Sequence, residues 1–184
     1  KHMVDSLKLL PFLEGGNNMV DVGTGAGLPG IPLAIVRPEI KVVLVESMRK
    51  RVDYLEKVVT ALELKNVEIV WARAEEIGQN LQYREKFAFA TARAVAALPV
   101  LAEYLLPLVR TSGKMLAMKS LKAETELGLA QTALAILGGG QVSQKDYILA
   151  GGENRRIIVI EKVKPTPKKY PRKVGLPASK PLGC

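Results

Sequence analysis

A glycine-rich segment near the amino end constrains the fold more than any other part of this chain. Residues 21–30 have the sequence Asp-Val-Gly-Thr-Gly-Ala-Gly-Leu-Pro-Gly, and the apolar run Ile31–Val36 follows directly. A short apolar run precedes the segment, so the order predicts a strand, a tight loop and the start of a helix. Because Gly23, Gly25 and Gly27 lack a Cβ, the loop can adopt positive φ and a ligand can approach its backbone. The segment therefore predicts a cofactor site on the main chain.

A carboxylate follows the next predicted strand. The run Lys41–Glu46 is rich in β-branched residues and ends on an acidic side chain. Glu46 lies about twenty residues after the glycines, a separation at which a carboxylate meets the two ribose hydroxyls of a nucleoside-containing cofactor. The loop and the acid together predict an adenosine site.

The residues around the glycines separate two classes of cofactor. A nicotinamide dinucleotide needs free helix N–H groups for its pyrophosphate, and Pro29 and Pro32 remove some of these donors. Asp21, placed before the first glycine, suits a cofactor with an amino-acid tail and no phosphate. Three of the glycines also fit the dinucleotide fingerprint, so a nicotinamide-dependent oxidoreductase stays open as an alternative, as does a purely structural turn.

Strands and helices alternate along most of the chain. The predicted strands are Asn18–Val22, Lys41–Glu46, Val67–Trp71, Phe87–Thr91, Lys114–Lys119, Gln141–Leu149 and Arg155–Val163. The predicted helices are Pro29–Val36, Arg49–Leu64, a short helix with Glu75 and Ile77, Leu98–Val109 and Ala123–Leu137. This order predicts a doubly wound, mainly parallel seven-stranded α/β sheet of the Rossmann-like type, with a terminal antiparallel hairpin.

Ligands of such sheets bind beyond the carboxyl ends of the strands, at the point where the strand order reverses. Residues that directly follow successive predicted strands are therefore expected to gather at one edge of the sheet. These residues are Gly23, Glu46, Ala74 with Glu75, Arg93 and Lys119.

Length and composition exclude several classes of protein. The 184 residues suffice for one core, but not for a nucleotide domain with a separate substrate domain. The chain has no apolar run of about eighteen residues for a membrane span, and its amino end does not resemble a secretion signal. One cysteine, Cys184, and one histidine, His2, exclude an internal disulfide and argue against a metal site. We expect a cytoplasmic monomer without a metal or a membrane partner.

The carboxyl end differs in composition from the rest of the chain. From Lys162 onward there are seven Lys or Arg residues, no acidic residue and five of the eleven prolines. We expect a body over residues 1–163 and an extended basic arm over residues 164–184 that contacts a polyanion such as RNA. A solubilising end without a partner is the alternative. The candidate RNA-binding residues are Lys168, Lys169, Arg172 and Lys173.

Several ordered motifs accompany the glycine loop. They are Lys-His-Met-Val-Asp-Ser-Leu at the start, Val-Glu-Ser-x-x-Lys-Arg at 45–51, Arg-Ala-Glu-Glu at 73–76, Thr-Ala-Arg-Ala-Val-Ala at 91–96, Ala-Met-Lys at 117–119 and Pro-Lys-Lys-Tyr-Pro-Arg-Lys-x-Gly-x-Pro in the tail. Over essentially its whole length the chain resembles the bacterial 16S ribosomal RNA guanine-N7 methyltransferase family, also called glucose-inhibited division protein B. Members of that family carry a helical segment ahead of the His-x-x-Asp-Ser motif, so we expect this chain to be a fragment.

The resemblance implies a class I methyltransferase fold, S-adenosylmethionine as cofactor, and a guanine of 16S rRNA in the small ribosomal subunit as substrate. It implies that Glu46 holds the ribose, at a position where many relatives have Asp. It also assigns the remaining cofactor contacts. Gly23, Thr24, Gly25, Gly27 and Leu28 would line the methionine part of the pocket, Ala74 and Glu75 would meet the adenine, and Arg93 would belong to the cofactor pocket.

The chemistry implied by the resemblance needs little acid–base help. Guanine N7 has a free lone pair, so methyl transfer to it requires positioning and no general base. We predict that Arg93 and Lys119 orient substrate or cofactor; a surface cation beside Glu75 or Glu103 is the alternative for each. Trp71 and Tyr83 are candidates for stacking on a base, although such aromatic residues usually pack in the core. A non-catalytic RNA-binding module is a second alternative, and the intact glycines and Glu46 argue against it.

Overall fold

The computed structural model describes residues 2–121, 124–149 and 151–183. Lys1, the predicted helix start at Ala123 and the single cysteine, Cys184, lie outside the described residues. The strands are β1 Asn18–Val22, β2 Lys41–Glu46, β3 Val67–Trp71, β4 Phe87–Arg93, β5 Val109–Ser120, β6 Gly139–Ile148 and β7 Asn154–Lys162. The helices are α1 His2–Leu7, α2 Gly30–Val36, α3 Arg49–Ala61, α4 Ala74–Gln79, α5 Leu98–Leu105, α6 Glu124–Leu137 and α7 Leu176–Ser179.

The seven strands form one sheet in the order β3-β2-β1-β4-β5-β7-β6. Strands β1 to β5 are parallel, whereas β7 pairs antiparallel with both β5 and β6. The predicted doubly wound sheet with a terminal antiparallel hairpin is confirmed. The order reverses at β1, which lies between β2 and β4, and this reversal opens a crevice at the carboxyl ends of the strands.

Helices cover both faces of the sheet because the central strands are apolar on both sides. In β1, Val20 and Val22 pack with α4, α5 and α6, while Met19 packs on the other face with α2 and α3. This alternation follows from the two-residue period of a strand. Among the described residues no helix is long and apolar enough to cross a bilayer.

Two predicted helices are too long. The helix expected over Arg49–Leu64 ends at Ala61, since Glu63 adopts φ 52, in the left-handed region that ends helices. The helix expected over Leu98–Val109 ends at Leu105, because Pro107 has no N–H to continue it. Strand β5 consequently begins at Val109, five residues earlier than predicted, and its pairing with β4 shifts register once.

The prediction of an extended arm for residues 164–184 is wrong for its described part, residues 164–183. We call residues 164–183 the C-terminal strap. Thr166, Tyr170 and Pro171 are buried against the body, and Tyr170 belongs to the core that α5 and α6 share. The prediction was based on composition alone, which does not take account of the acidic and amide side chains upstream that bind the strap.

Candidate functional site

The predicted site residues do gather at the carboxyl edge of the parallel strands. Gly23 follows β1, Glu46 ends β2, Ala74 begins α4 after β3, and Arg93 ends β4. Lys119 is the next-to-last residue of β5. One edge therefore holds the residues predicted for the cofactor and the two predicted orienting cations, as the topology requires.

The loop after β1 has the backbone that only glycine adopts freely. Gly23, Gly25 and Gly27 have φ of 67°, 62° and 87°. A Cβ at Gly25 would meet no atom within 4 Å, so this residue faces open space, whereas a Cβ at Gly23 would press on Val95. The loop thus leaves a bare main-chain surface for a ligand. Thr24 and Gly27 are buried and Leu28 is half-buried.

The carboxylate of Asp21 holds the loop in place through hydrogen bonds from the protein interior. It is fully buried, and its Oδ2 accepts hydrogen bonds from the Thr24 hydroxyl at 2.6 Å and from the Gly30 N–H at 2.9 Å. Its Oδ1 has no hydrogen-bond partner among the described residues. Burial raises the pKa of Asp21 to about 6, against the lowering effect of the two hydrogen bonds. The site therefore holds a carboxylate whose ionisation is costly.

The start of α2 offers no cradle for a pyrophosphate. The Gly30 N–H is taken by Asp21, the Ile31 N–H donates to the Gly27 carbonyl at 2.7 Å, and Pro32 has no N–H. A dinucleotide fold needs such donors free. This turn therefore disfavours the nicotinamide alternative, and Asp21 is the reason.

Glu46 is positioned by backbone donors on both sides. Its Oε2 accepts from the Gly25 N–H at 3.1 Å and its Oε1 from the Met48 N–H at 2.9 Å, while Arg51 lies 3.5 Å away. The side chain is 3% exposed. A buried carboxylate held beside the glycine loop fits the two hydroxyls of a ribose, because its free lone pairs can accept both.

A cavity of about 350 Å³ adjoins this loop. Gly23, Ala74 and Glu75 line it, as predicted for cofactor contacts, together with Val174 and Ala178 of the strap. Tyr104 also lines it. Burial, and then the charge of Glu75, raises the pKa of Tyr104 to about 12. A wider groove of about 680 Å³ lies at the opposite, amino edge of β2 and β3, where doubly wound sheets do not bind their ligands.

A second cavity of about 370 Å³ contains the two predicted orienting cations, Arg93 and Lys119. The guanidinium of Arg93 lies 3.1 Å from His2 Nδ1 and 3.4 Å from Asp5 Oδ2. Tyr147 donates to Asp5 Oδ1 at 2.7 Å, and its pKa is raised by burial and by its contact with Asp5. Arg93 is therefore held by His2 and Asp5 of α1, and Tyr147 of β6 holds Asp5 in turn.

Lys119 is held just as firmly. Its Nζ donates to the Ala96 carbonyl at 2.6 Å and to Glu126 Oε2 at 2.7 Å, and the same Glu126 oxygen accepts the Leu98 N–H. The alternative partners, Glu75 and Glu103, are not its contacts. Lys119 consequently couples β5, α6 and the start of α5 at the cavity.

The two cavities adjoin along the segment after β4. Ala94 lines the second cavity, whereas Val95 and Ala96 line the first. Ala94 has φ 56, a backbone that costs an alanine about 1 kcal/mol and that clusters at functional sites. The two cavities thus meet across residues 94–96.

Comparison with known proteins identifies the family. A family model described as rRNA small subunit methyltransferase G, GidB, matches residues 1–158. The ribosomal RNA small subunit methyltransferase G of Leuconostoc citreum is 50% identical over 186 residues, covering 99% of this chain and 78% of that protein. The protein of the same name from Desulfitobacterium hafniense is 48% identical and covers 99% of this chain and 76% of its own length.

The chain belongs to the GidB family. It is thus a member of a methyltransferase family, as its motifs predict. Solved structures at lower identity share the fold of this GidB protein. TrmN from Thermus thermophilus has a TM-score of 0.67 at 19% identity, over 88% of this chain and 49% of its own. M. jannaschii TYW2, solved in complex with AdoMet, has a TM-score of 0.66 at 15% identity, over 89% and 77%.

The four predicted RNA-binding residues do not all face solvent on the strap. Lys168, Lys169 and Lys173 are exposed. The guanidinium of Arg172, however, donates to Glu103 from two of its three nitrogens, Nε at 2.9 Å and Nη2 at 2.6 Å. Because Arg172 serves this contact, three of the four cations face outward on the GidB protein.

Sequence analysis missed several residues of the site. Tyr147 and Glu126 belong to none of the motifs, and Asp5 occurs only within the opening Lys-His-Met-Val-Asp-Ser-Leu motif, without an assigned role. Tyr83 stacks on Phe87 at 6.3 Å, as an ordinary core-side aromatic. Trp71, by contrast, is 58% exposed and donates through Nε1 to the Ser47 carbonyl.

Trp71 lies directly opposite Glu46 in the pairing of β3 with β2. The Arg49 guanidinium lies 5.2 Å from the centre of its ring, at cation–π distance. The described residues contain no group of three or more His, Cys, Asp or Glu residues placed to hold a metal ion.

Proposed function

We propose that this GidB protein transfers a methyl group from S-adenosylmethionine to N7 of a guanine in 16S ribosomal RNA. The main support for this proposal is the turn at the start of α2, where Asp21 and the prolines leave few N–H donors for a pyrophosphate. Gly25 and Glu46 nearby provide a surface suited to adenosine. Membership in a family of rRNA small subunit methyltransferases supports the substrate class.

The residues fit the cofactor by parts. Glu46 would accept the ribose hydroxyls, and Ala74 and Glu75 would border the adenine in the 350 Å³ cavity. The backbone from Gly23 to Leu28 would carry the amino-acid tail, with Gly25 open to it. When bound, the cofactor supplies an electrophilic methyl group on its sulfonium.

The protein's contribution is positioning. Guanine N7 attacks with its own lone pair, so the site needs alignment of the reacting atoms at about 3 to 3.5 Å and no base. Arg93 and Lys119, immobilised by Asp5 and Glu126, would bind guanine O6 or a phosphate; a cation on N7 itself would block the attack. The second cavity would hold the base next to the cofactor across the Ala94–Ala96 segment.

The partner would be 16S rRNA, alone or within the small ribosomal subunit, and the enzyme would work in the cytoplasm as a monomer without a metal. Lys168, Lys169 and Lys173 would contact phosphates from the outer face of the strap. Their positive charge attracts the RNA backbone irrespective of sequence, and the second cavity selects the base.

Mapping of N7-methylguanine tests this function. The protein is incubated with S-adenosylmethionine and either 30S particles or naked 16S rRNA lacking the modification, and new sites are located by borohydride and aniline cleavage. One new cleavage site is expected. Unchanged cleavage with both substrates, in a preparation that binds S-adenosylhomocysteine by calorimetry, would contradict the assignment. Binding of NAD in place of S-adenosylhomocysteine would revive the oxidoreductase alternative.

A further inference from the structure

The C-terminal strap runs from the end of β7 back to the rim of the 350 Å³ cavity. Its first anchor is Arg84, whose guanidinium donates to the carbonyls of Thr166, Pro167 and Tyr170 at 2.6 to 3.2 Å. The same guanidinium also reaches the Gly78 carbonyl at 2.8 Å. One side chain thus fastens the strap to the end of α4.

A second anchor lies beneath Thr166. The Thr166 N–H donates to Glu85 at 2.7 Å and its hydroxyl to the Leu137 carbonyl at 2.7 Å. Lys162, fully buried, donates to the Leu106 carbonyl at 2.6 Å and to the Thr166 hydroxyl. Burial lowers the pKa of Lys162 to about 8, because desolvation disfavours the charged ammonium group.

The third anchor is the ion pair between Arg172 and Glu103. Glu103 is fully buried on α5 and accepts both the guanidinium and the backbone N–H of Arg172. The hydrogen bonds to Glu103 raise the pKa of Arg172 further above its ordinary value. The buried Glu103 carboxylate fixes the strap, because leaving it without its cationic partner Arg172 is costly.

Beyond this anchor the strap reaches the cofactor cavity. The Gly175 N–H donates to Glu75 Oε1 at 2.9 Å, and Glu75 is the residue expected beside the adenine. Val174, Gly175 and Ala178 face the cavity opposite Gly23 and Ala74. Gly175 has φ 82 and caps α7, so a turn that favours glycine places these residues at the wall.

We infer that the C-terminal strap forms one wall of the adenosine cavity, so that Val174, Gly175 and Ala178 are cofactor-binding residues of this protein. The inference rests on the proposed function, since it concerns the same cavity. Glu75 contacts the strap on one side and borders the cavity on the other. Cofactor binding and strap docking therefore stabilise each other.

A pair of neighbouring substitutions tests the wall. Ala178→Phe puts a bulky ring into the cavity, and Ser179→Phe puts the same ring on the adjacent exposed position of α7, which does not line it. Calorimetric titration with S-adenosylhomocysteine should show affinity at least about tenfold weaker for Ala178→Phe, and within about twofold of the unaltered protein for Ser179→Phe. Thermal melting of each variant reports whether it is folded.

Equal affinity of both variants, whether unchanged or equally reduced, would overturn the wall assignment. Hydrogen exchange on the unaltered chain gives a second measurement that needs no substitution. Amides of residues 172–179 should exchange more slowly with S-adenosylhomocysteine bound, and unchanged exchange there would also refute the inference. An unaltered protein that does not bind S-adenosylhomocysteine contradicts the proposed function itself, and so is distinguished from failure of the strap alone.

Discussion

The cavity of about 350 Å³ that we propose for adenosine has two walls, which are built in different ways. The inner wall is formed by Val22 and Gly23 where the glycine loop begins, and by Val45 and Ser47 on either side of Glu46. The outer wall is the C-terminal strap, which comes from the far end of the chain and meets Glu75 through Gly175. The inner wall is local and depends on backbone conformation, whereas the outer wall depends on ion pairs and hydrogen bonds to distant side chains. Sequence motifs therefore predict the inner wall, whereas the composition of the carboxyl end does not predict the outer wall.

The strongest test of the outer wall is Arg172→Ala. This change leaves Glu103 buried without its cationic partner and should lower the free energy of unfolding by about 3 kcal/mol, measured by urea denaturation. Lys173→Ala, at the exposed neighbouring position, is the matched control and should change it by less than about 0.5 kcal/mol. Similar midpoints for the two variants would mean that the strap is not fastened by this pair.

The inner wall is tested through the pH dependence of stability. The pKa of Asp21 is raised from 3.8 to about 6, so the neutral form stabilises the fold below 3.8, and this contribution disappears as the pH rises through 6. The difference amounts to about 3 kcal/mol at 1.36 kcal/mol per unit. Asp21→Asn removes the ionisation and can keep one oxygen for Thr24 and Gly30.

The stability of Asp21→Asn relative to the unaltered chain should therefore rise by about 3 kcal/mol between about pH 3.5 and pH 7, as followed by denaturation at each pH. A difference that stays constant across this range would show that Asp21 ionises freely in the folded state. Asp53→Asn, at a half-buried position on α3, is the control for the removal of one carboxylate.

A smaller effect is expected from Glu46→Gln. Loss of a charged acceptor for the ribose hydroxyls should weaken binding of S-adenosylhomocysteine by about 2 kcal/mol, or about thirtyfold. Calorimetry measures this, with Glu56→Gln on the exposed side of α3 as control. The loss of affinity should be smaller when the ligand is 2′-deoxy-S-adenosylhomocysteine, which lacks one of the hydroxyls. An equal loss with both ligands would mean that Glu46 stabilises the loop and does not bind the ribose.

The smallest effect concerns the outer face of the strap. Lys168→Ala combined with Lys169→Ala should reduce the slope of RNA affinity against log salt by about 1.4, at about 0.7 per phosphate contact of a single strand. Filter binding to a 16S rRNA fragment at several salt concentrations gives the slope. The control variant, Lys57→Ala with Lys65→Ala, removes the same amount of charge elsewhere on the protein. An identical change in slope for the control would mean that the strap acts through the net charge of the protein and does not contact the RNA.

Much of the inner wall was predictable because its determinants are close in sequence. The bounds of β1, β2 and β3 agree with the predicted strands, since apolar runs ended by glycine or a charge fix them locally. The glycines and Glu46 take their places as the loop pattern indicates. In the structure Asp21 binds the Gly30 N–H, so this donor is not free for a pyrophosphate. The prolines at the start of α2 already predicted from the sequence that such donors would be few.

The remaining parts depend on contacts that no local pattern encodes. Arg172 meets Glu103 across 69 residues, and Tyr147 meets Asp5 across 142. A proline-rich, basic segment has too little apolar area to form a core alone. The strap is instead held on the body by hydrogen bonds from Arg84 and to Glu85 and Glu103. Such partners become visible only when the sheet has brought distant elements together.

The chain contains one tryptophan, and the fold places it at the edge of the cofactor site. Trp71 is exposed, lies opposite Glu46 in the β-sheet pairing, and donates to the carbonyl of Ser47, a residue of the cavity lining. Its emission wavelength and quenching therefore report on one defined location. The native protein thus has a built-in optical probe, and ligand titrations can be followed by fluorescence without attaching a dye.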